Sequence, residues 1–383
     1  MGFLGLIGFG GGATGLSNVS GSSANGIVAA TGGSVYTVGD YKLHVFILDN
    51  APETFAVSSC DPNAPIEVLV CGSGGSGAPD QGSGGGGGGV VYTTTGVLVS
   101  QSTYPVTISP ASVNNAPIPG NPSSSRGGDS VFGSPTTDIK FTAKGGGFGG
   151  YFSPRTDQNA DYRDGGCGGG MGNMPGEATS PTTVGATGYQ PTEPQTWPTG
   201  ATFDSPTGGA VVSSGYPGGS TPESAVQHST GAGGGGGGAG QAGFSGLPTI
   251  SPEADRGRGG NGYQVPSDFL DPFKPALPSP FLAVTHDGPD FRYFGAGGGG
   301  SDYNNNSGSA RNYGPLSGLG QGGQPGPTAK GDNGRGAKDP GGGGQQGWVG
   351  TGDRGGGGGG GSTHSGNGRF GGSGVVLVKY KYQ

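Results

Sequence analysis

Charge, core-forming side chains and helical patterning are all scarce in this sequence. Of 383 residues, 11% are charged and 29% are hydrophobic. An average domain is about 45–50% apolar on a count that includes Gly. No segment shows the i, i+3, i+4 spacing of an amphipathic helix of useful length. Charge is too sparse for a polyelectrolyte linker. The formal net charge of −7 gives no general attraction to nucleic acid or anionic lipid. Long apolar runs are also lacking. Phe3 to Phe9 is apolar but dissolves into Gly10, Gly11 and Gly12, and spanning a bilayer takes roughly 20 such residues. The first basic residue is Lys42, so the charged n-region of a secretory signal is not read here. The expectation is no membrane insertion. The apolar tail instead docks onto another protein, through Phe3, Leu4, Leu6, Ile7 and Phe9. Cys60, Cys71 and Cys167 lack metal-ligand spacing. They are free thiols, or Cys60 and Cys71 pair if they face each other.

Glycine and proline are what the chain has in excess, at 97 and 31 residues. Each ordered glycine costs more conformational entropy than any other residue, and the apolar side chains are too few to offset that cost by burial. The chain is therefore either largely disordered or ordered through its backbone.

Strand signals fill the first third. Tyr41–Leu48, Thr54–Val57, Ile66–Val70, Val90–Thr93, Gly96–Val99 and Tyr104–Ile108 are β-branched or aromatic runs broken by Gly, Pro and Asn. Glycine runs follow at irregular spacing: Gly84–Gly89, Gly145–Gly147, Gly168–Gly170, Gly233–Gly238, Gly297–Gly300, Gly341–Gly344 and Gly355–Gly361. Irregular spacing excludes a fixed-period solenoid, and no Gly-X-Y register supports collagen. A strand returns at Gly374–Tyr380. A lone strand needs partners, and those in supply lie between Tyr41 and Ile108.

The expected fold is therefore mostly β and irregular. N- and C-terminal strands form a small sheet or sandwich around a large inserted glycine-rich array. The divisions read as a 1–33 docking tail, a 34–110 plus 374–383 β framework, and a 111–373 array. Polyglycine can adopt the polyproline II helix, with three residues per turn and about 3.1 Å rise. That helix bonds nothing internally. Without Cβ atoms, several such rods can lie side by side and bond to one another, which is the form expected for the array. A flexible linker is the competing reading.

The chemical motifs are thin. Gly72-Ser73-Gly74-Gly75-Ser76-Gly77 matches a dinucleotide fingerprint after a strand, but Pro79 and six glycines follow instead of a helix. Arg-Gly-Gly at Arg126, Arg258 and Arg354 resembles single-strand nucleic-acid binders, yet acids outnumber bases. His44, His228, His286 and His364 are far apart. Asp332-Asn333-Gly334 reads as a turn rather than a calcium loop. No catalytic residue, cofactor site or metal site is expected, and the chain reads as no enzyme. The aromatic loops are the most function-like feature. Tyr189, Trp197, Tyr303 with Asn304, Tyr313 and Trp348 lie between glycine runs, where rings stack on sugars or pack as lids over the array.

The opening Gly2–Thr14, Gly39–Phe46, Ile66–Val70 running into glycines, and the closing Gly372–Tyr380 together resemble glycine-rich virion proteins of tailed bacteriophages. The nearest functional relatives are tail-fibre tip adhesins with packed polyglycine II helices. A similar glycine-rich layer occurs in the ectodomain of anaplastic lymphoma kinase-type receptors, which carry a signal peptide and a transmembrane segment. The phage resemblance implies a structural virion protein made in the host cytoplasm, a tail-fibre or tail-tip component contributing to host attachment. Its implied partners are other virion proteins through the tail, and host surface polysaccharide or an outer-membrane protein through the loops. A homo-oligomer is left open. A head fibre or decoration protein without receptor contact is the alternative, and an RGG-type nucleic-acid binder the second.

Overall fold

The computed structural model describes residues 27–48, 53–78, 82–110, 112, 126–137, 139–150, 163–172, 185–190, 195, 211–221, 233–246, 257–277, 292–300 and 370–383. Two antiparallel sheets dominate. The first has five strands in the order β1 (Val28–Thr31), β4 (Glu53–Cys60), β8 (Thr103–Thr107), β9 (Ser130–Gly133) and β10 (Lys140–Ala143). The second runs β11 (Val211–Ser214), β6 (Val90–Thr93), β5 (Pro65–Cys71), β14 (Val375–Lys381), β3 (Tyr41–Phe46) and β2 (Ser34–Val38). The short β7 (Val97–Leu98) also pairs with β5. A small ribbon joins β12 (Tyr263–Gln264) to β13 (Tyr293–Phe294), and one four-residue helix, α1 (Ser267–Leu270), follows β12.

Alternation along each strand builds two cores, because successive side chains point to opposite faces. On β14, Val376, Val378 and Tyr380 face the five-stranded sheet and meet Phe55, Tyr104, Phe132 and Phe141. Val375 and Leu377 face the other way, toward Phe269, Leu270, Phe273, Phe294 and Cys167. The seven-stranded sheet is thus a middle layer covered on both faces. That explains why Val375–Val378 reads as an unbroken apolar run.

The C-terminal strand pairs with N-terminal strands, as expected, and it does so on both edges. Leu377 pairs with Val45 of β3 on one side and Leu69 of β5 on the other. Two glycines at the N-terminal corner need their freedom. Gly32 and Gly33 have φ of 121° and 58° and turn the chain from the first sheet into the second.

The array is a continuation of the sheets. Residues 72–78 extend β5, 82–89 lead into β6, 144–150 extend β10, and 370–374 lead into β14. The β5–β6 ladder keeps its register through this change. Cys71 pairs with Val90. Beyond it, Gly72 N–H donates to Gly89 C=O at 3.0 Å, Gly75 to Gly86 at 2.9 Å, and Ala78 to Ser83 at 3.1 Å. Bonds now recur at every third residue, the period of a polyproline II helix.

With three residues per turn, N–H groups leave a rod in three directions about 120° apart, and C=O groups in three more. Segment 233–238 uses all six. The N–H groups of Gly234 and Gly237 bond to Met171 and Gly168, those of Gly235 and Gly238 to Phe244 and Gln241, and that of Gly236 to Gly298. The carbonyls of Gly234 and Gly237 accept from Gly84 and Gly87, those of Gly235 and Gly238 from Gly219 and Tyr216, and that of Gly236 from Gly260. Six neighbouring segments surround one rod, and four of them are met twice, at a three-residue interval. Segment 82–89 is enclosed in the same way by 72–78, 144–150, 165–172, 233–238 and 295–300.

The two parts interleave more than the divisions read from the sequence. The sheets take in 28–31, 130–133, 140–143 and 211–214, while the lattice begins at Gly72. Gly218 lies between Pro217 and Ser220, yet it belongs to the lattice. It donates to Ala186 C=O at 2.9 Å, and a Cβ there would collide with the Gly169 carbonyl.

Candidate functional site

Of the aromatic residues singled out from the sequence, the structure describes Tyr189. Trp197, Tyr303, Asn304, Tyr313 and Trp348 lie outside the described residues, as do Phe3, Leu4, Leu6, Ile7 and Phe9. Tyr189 sits at a corner of the lattice. Its N–H donates to Gly165 C=O at 2.7 Å, and its hydroxyl donates to Asp164 Oδ2 at 2.9 Å. The other Asp164 oxygen accepts Thr187 N–H at 2.6 Å. Asp164 is buried, so one carboxylate fixes both the loop and the ring, while Tyr189 remains 46% exposed. Neighbouring Gln190 is buried. Its side-chain oxygen accepts Lys144 N–H at 2.6 Å and its amide donates to Thr142 C=O at 3.0 Å. It thereby seals the edge of β10.

Tyr216 was missed in the sequence, where Gly215 and Pro217 gave no sign of order. It is 44% exposed, and its backbone is bonded on both sides, to Gly238 and Gly168.

The titratable groups are mostly occupied with structure. His44 of β3 reaches the β1–β2 turn on one side and β14 on the other. Gly32 C=O can only accept, so Nδ1 carries the proton and donates to it at 2.6 Å. Nε2 then accepts from the Tyr380 hydroxyl at 2.9 Å. Burial is the main cause that lowers the His44 pKa from 6.5 to about 4. On the opposite face of the sheet, Lys379 Nζ bonds Glu67 Oε1 at 2.8 Å and the Asp268 carbonyl at 3.0 Å. The Tyr92 hydroxyl donates to Glu67 Oε2 at 2.8 Å. This cluster ties β5, β6, β14 and α1 together. Burial, and then the Glu67 charge, drives the Tyr92 pKa upward.

Cys60, Cys71 and Cys167 are free thiols, so the Cys60–Cys71 pairing left open by the sequence is not formed. Burial pushes the Cys167 thiol up to about 12. The fingerprint-like Gly72–Gly77 segment is buried, and the N–H groups of Gly72, Ser73, Gly74 and Gly75 donate to carbonyls of other segments. Arg258 of one Arg-Gly-Gly lies over the Phe244 ring, 5.7 Å from its centroid, and donates to Asn261 Oδ1 at 3.3 Å.

Among the described residues, no three His, Cys, Asp or Glu side chains gather as a metal site, and no helix is long and apolar enough to cross a membrane.

Residues 50–271 match the glycine-rich domain family. No curated protein matches the chain. The matched span runs from before β4 to just past α1, and it covers more than half of the sequence. The chain belongs to the glycine-rich domain family.

Proposed function

We propose that this chain is a non-catalytic structural protein of a phage particle, a tail-fibre or tail-tip component that contributes to host-surface attachment. The observation that carries this reading is the lattice itself. Rods whose backbone groups bond to surrounding rods form a stiff body, and a stiff body holds surface residues such as Tyr189 in fixed positions. The apolar N-terminal segment fits docking onto another virion protein. The loops between rods fit contact with polysaccharide or an outer-membrane protein of the host. The engagement of Arg258 with Phe244 and Asn261 disfavours the RGG-type reading.

The test uses the purified full chain, fluorescently labelled, on cells of the host, together with immunogold labelling of particles from the culture that makes it. Label at the tail and saturable binding to cells are expected. Label on the head without cell binding would favour the head-fibre or decoration reading. Absence from particles would overturn the virion assignment.

A further inference from the structure

Tyr189 and Tyr216 are 27 positions apart in sequence, but the backbone just before Tyr189 packs against that of Gly215 and Tyr216. A Cβ built on Gly188, which precedes Tyr189, would lie 2.8 Å from the Gly215 oxygen and 2.8 Å from the Tyr216 carbonyl carbon. Both residues are also tied to one rod. Tyr189 N–H bonds to Gly165, and Tyr216 C=O accepts from Gly168. Those anchors are three residues, or about 9 Å, apart along a polyproline II helix. Each tyrosine leaves nearly half of its surface in solvent. Thr187 and Pro217 beside them are exposed as well. The nearest charged side chains of these segments, Arg163 and Asp164, are each 5% exposed.

We infer that Tyr189 and Tyr216 form a platform that binds a neutral carbohydrate on the flank of the lattice. This deepens the attachment reading by naming the chemical class of ligand, and it rests on that reading.

Three properties select a sugar. The C–H face of a pyranose is apolar and stacks on an aromatic ring, while its rim of hydroxyls can bond to Thr187 and nearby backbone carbonyls. The segments 163–172, 185–190 and 211–221 that build the patch expose no charged side chain, whereas nucleic acid and anionic lipid are held through cations. Two rings with a proline and a threonine offer far less area than the roughly 800 Å² per partner of a stable protein interface. The platform is also pre-organised. Asp164 fixes the Tyr189 hydroxyl, and the lattice fixes both backbones, so little freedom is lost on binding.

The experiment is native gel electrophoresis of the full chain through gels containing dextran, mannan or galactan. At least one of these neutral polymers should retard the protein. Tyr189→Ala and Tyr216→Ala should each weaken that retardation roughly tenfold. Tyr189→Phe should keep most of it, because the ring is retained. Tyr41→Ala, which removes a comparably exposed tyrosine on β3 (43%), should change nothing. Melting temperatures measured alongside will separate lost binding from lost folding. No retardation in any of the three gels, or equal retardation of wild type and both alanine variants, would overturn the platform. Cell binding that persists while the gels fail would locate the fault in the carbohydrate and not in the attachment function.

Discussion

Replacing one glycine in the middle of a rod separates a packed lattice from a flexible linker, because the two predict opposite signs. Gly236 donates to Gly298 C=O at 2.8 Å and accepts from Gly260 N–H at 2.8 Å. A Cβ on Gly236 would be driven into the Gly85 carbonyl, closer than real Cβ atoms approach a backbone atom. That carbonyl is itself bonded to Gly298 N–H at 2.9 Å. Its neighbours are backbone and cannot rotate away, so the rods must part. Parting them leaves at least two buried backbone groups unpaired, at about 1–3 kcal/mol each. Against this, Ala reduces the entropy of the unfolded chain, a gain of about 0.4–1 kcal/mol. The net expectation for Gly236→Ala is a destabilisation of roughly 3 kcal/mol. At about 2–4 °C per kcal/mol, the melting temperature should fall by roughly 6–12 °C. Gly235→Val should be worse, since its Cβ meets the Arg258 carbonyl and carries two further methyls. Calorimetry or near-UV circular dichroism reads the transition. An unchanged or raised melting temperature for Gly236→Ala would refute the packed-rod reasoning, because that is the result a linker gives.

Three other expectations follow from the sheets and the rods. Gly218→Val should destabilise on the same scale as Gly235→Val, and a silent Gly218→Val in the same melting assay would remove that residue from the lattice. Glu67→Ala leaves Lys379 buried with the Asp268 carbonyl as its remaining hydrogen-bond acceptor. It should cost about 3 kcal/mol in urea unfolding, and the double change with Lys379→Met should cost less than the sum of the single ones. His44 has a depressed folded-state pKa, so the unfolded state binds the extra proton. Its stabilising effect is present above pH 6.5 and is lost as pH falls toward about 4. The loss is on the order of 3 kcal/mol, and His44→Gln should flatten that part of the urea midpoint-against-pH curve.

The β framework was legible because its strands are dense in Val, Ile, Leu and aromatics. The run Val375–Val378 could be assigned to a sheet shared with the strands between Tyr41 and Ile108, and its pairing with β3 and β5 agrees. β9, β10 and β11 were not legible. Ser130–Gly133, Lys140–Ala143 and Val211–Ser214 are four-residue strands, too short for a periodic signal, and their partners fix them. The turn from β1 to β2 was hidden for a related reason, since Gly32 and Gly33 resemble every other glycine pair until their positive φ is seen. The rods were legible as a class through their glycine runs, but not as individuals. Residues 72–78, 165–172 and 215–221 carry Ser, Cys, Met, Tyr, Pro and Thr among their glycines, and a rod needs glycine only where a neighbouring backbone lies in the path of the Cβ. Tyr216 escaped notice for the same reason, whereas Tyr189 was noticed as an aromatic residue between glycine runs. What recognises a ligand depends on which rods touch, and rod contacts follow three-dimensional order that sequence spacing does not encode.

Bonds from rod to rod order the glycine runs. Native-state amide hydrogen exchange tests this most directly, because it reports each N–H group. The amides of Gly84, Gly86, Gly87 and Gly234–Gly238 should exchange as slowly as those of Val68, Leu69 and Leu377 in the middle sheet, and they should open together in one cooperative unit. Exchange of these glycine amides at the rate of an unstructured chain, while β5 and β14 stay protected, would contradict that ordering.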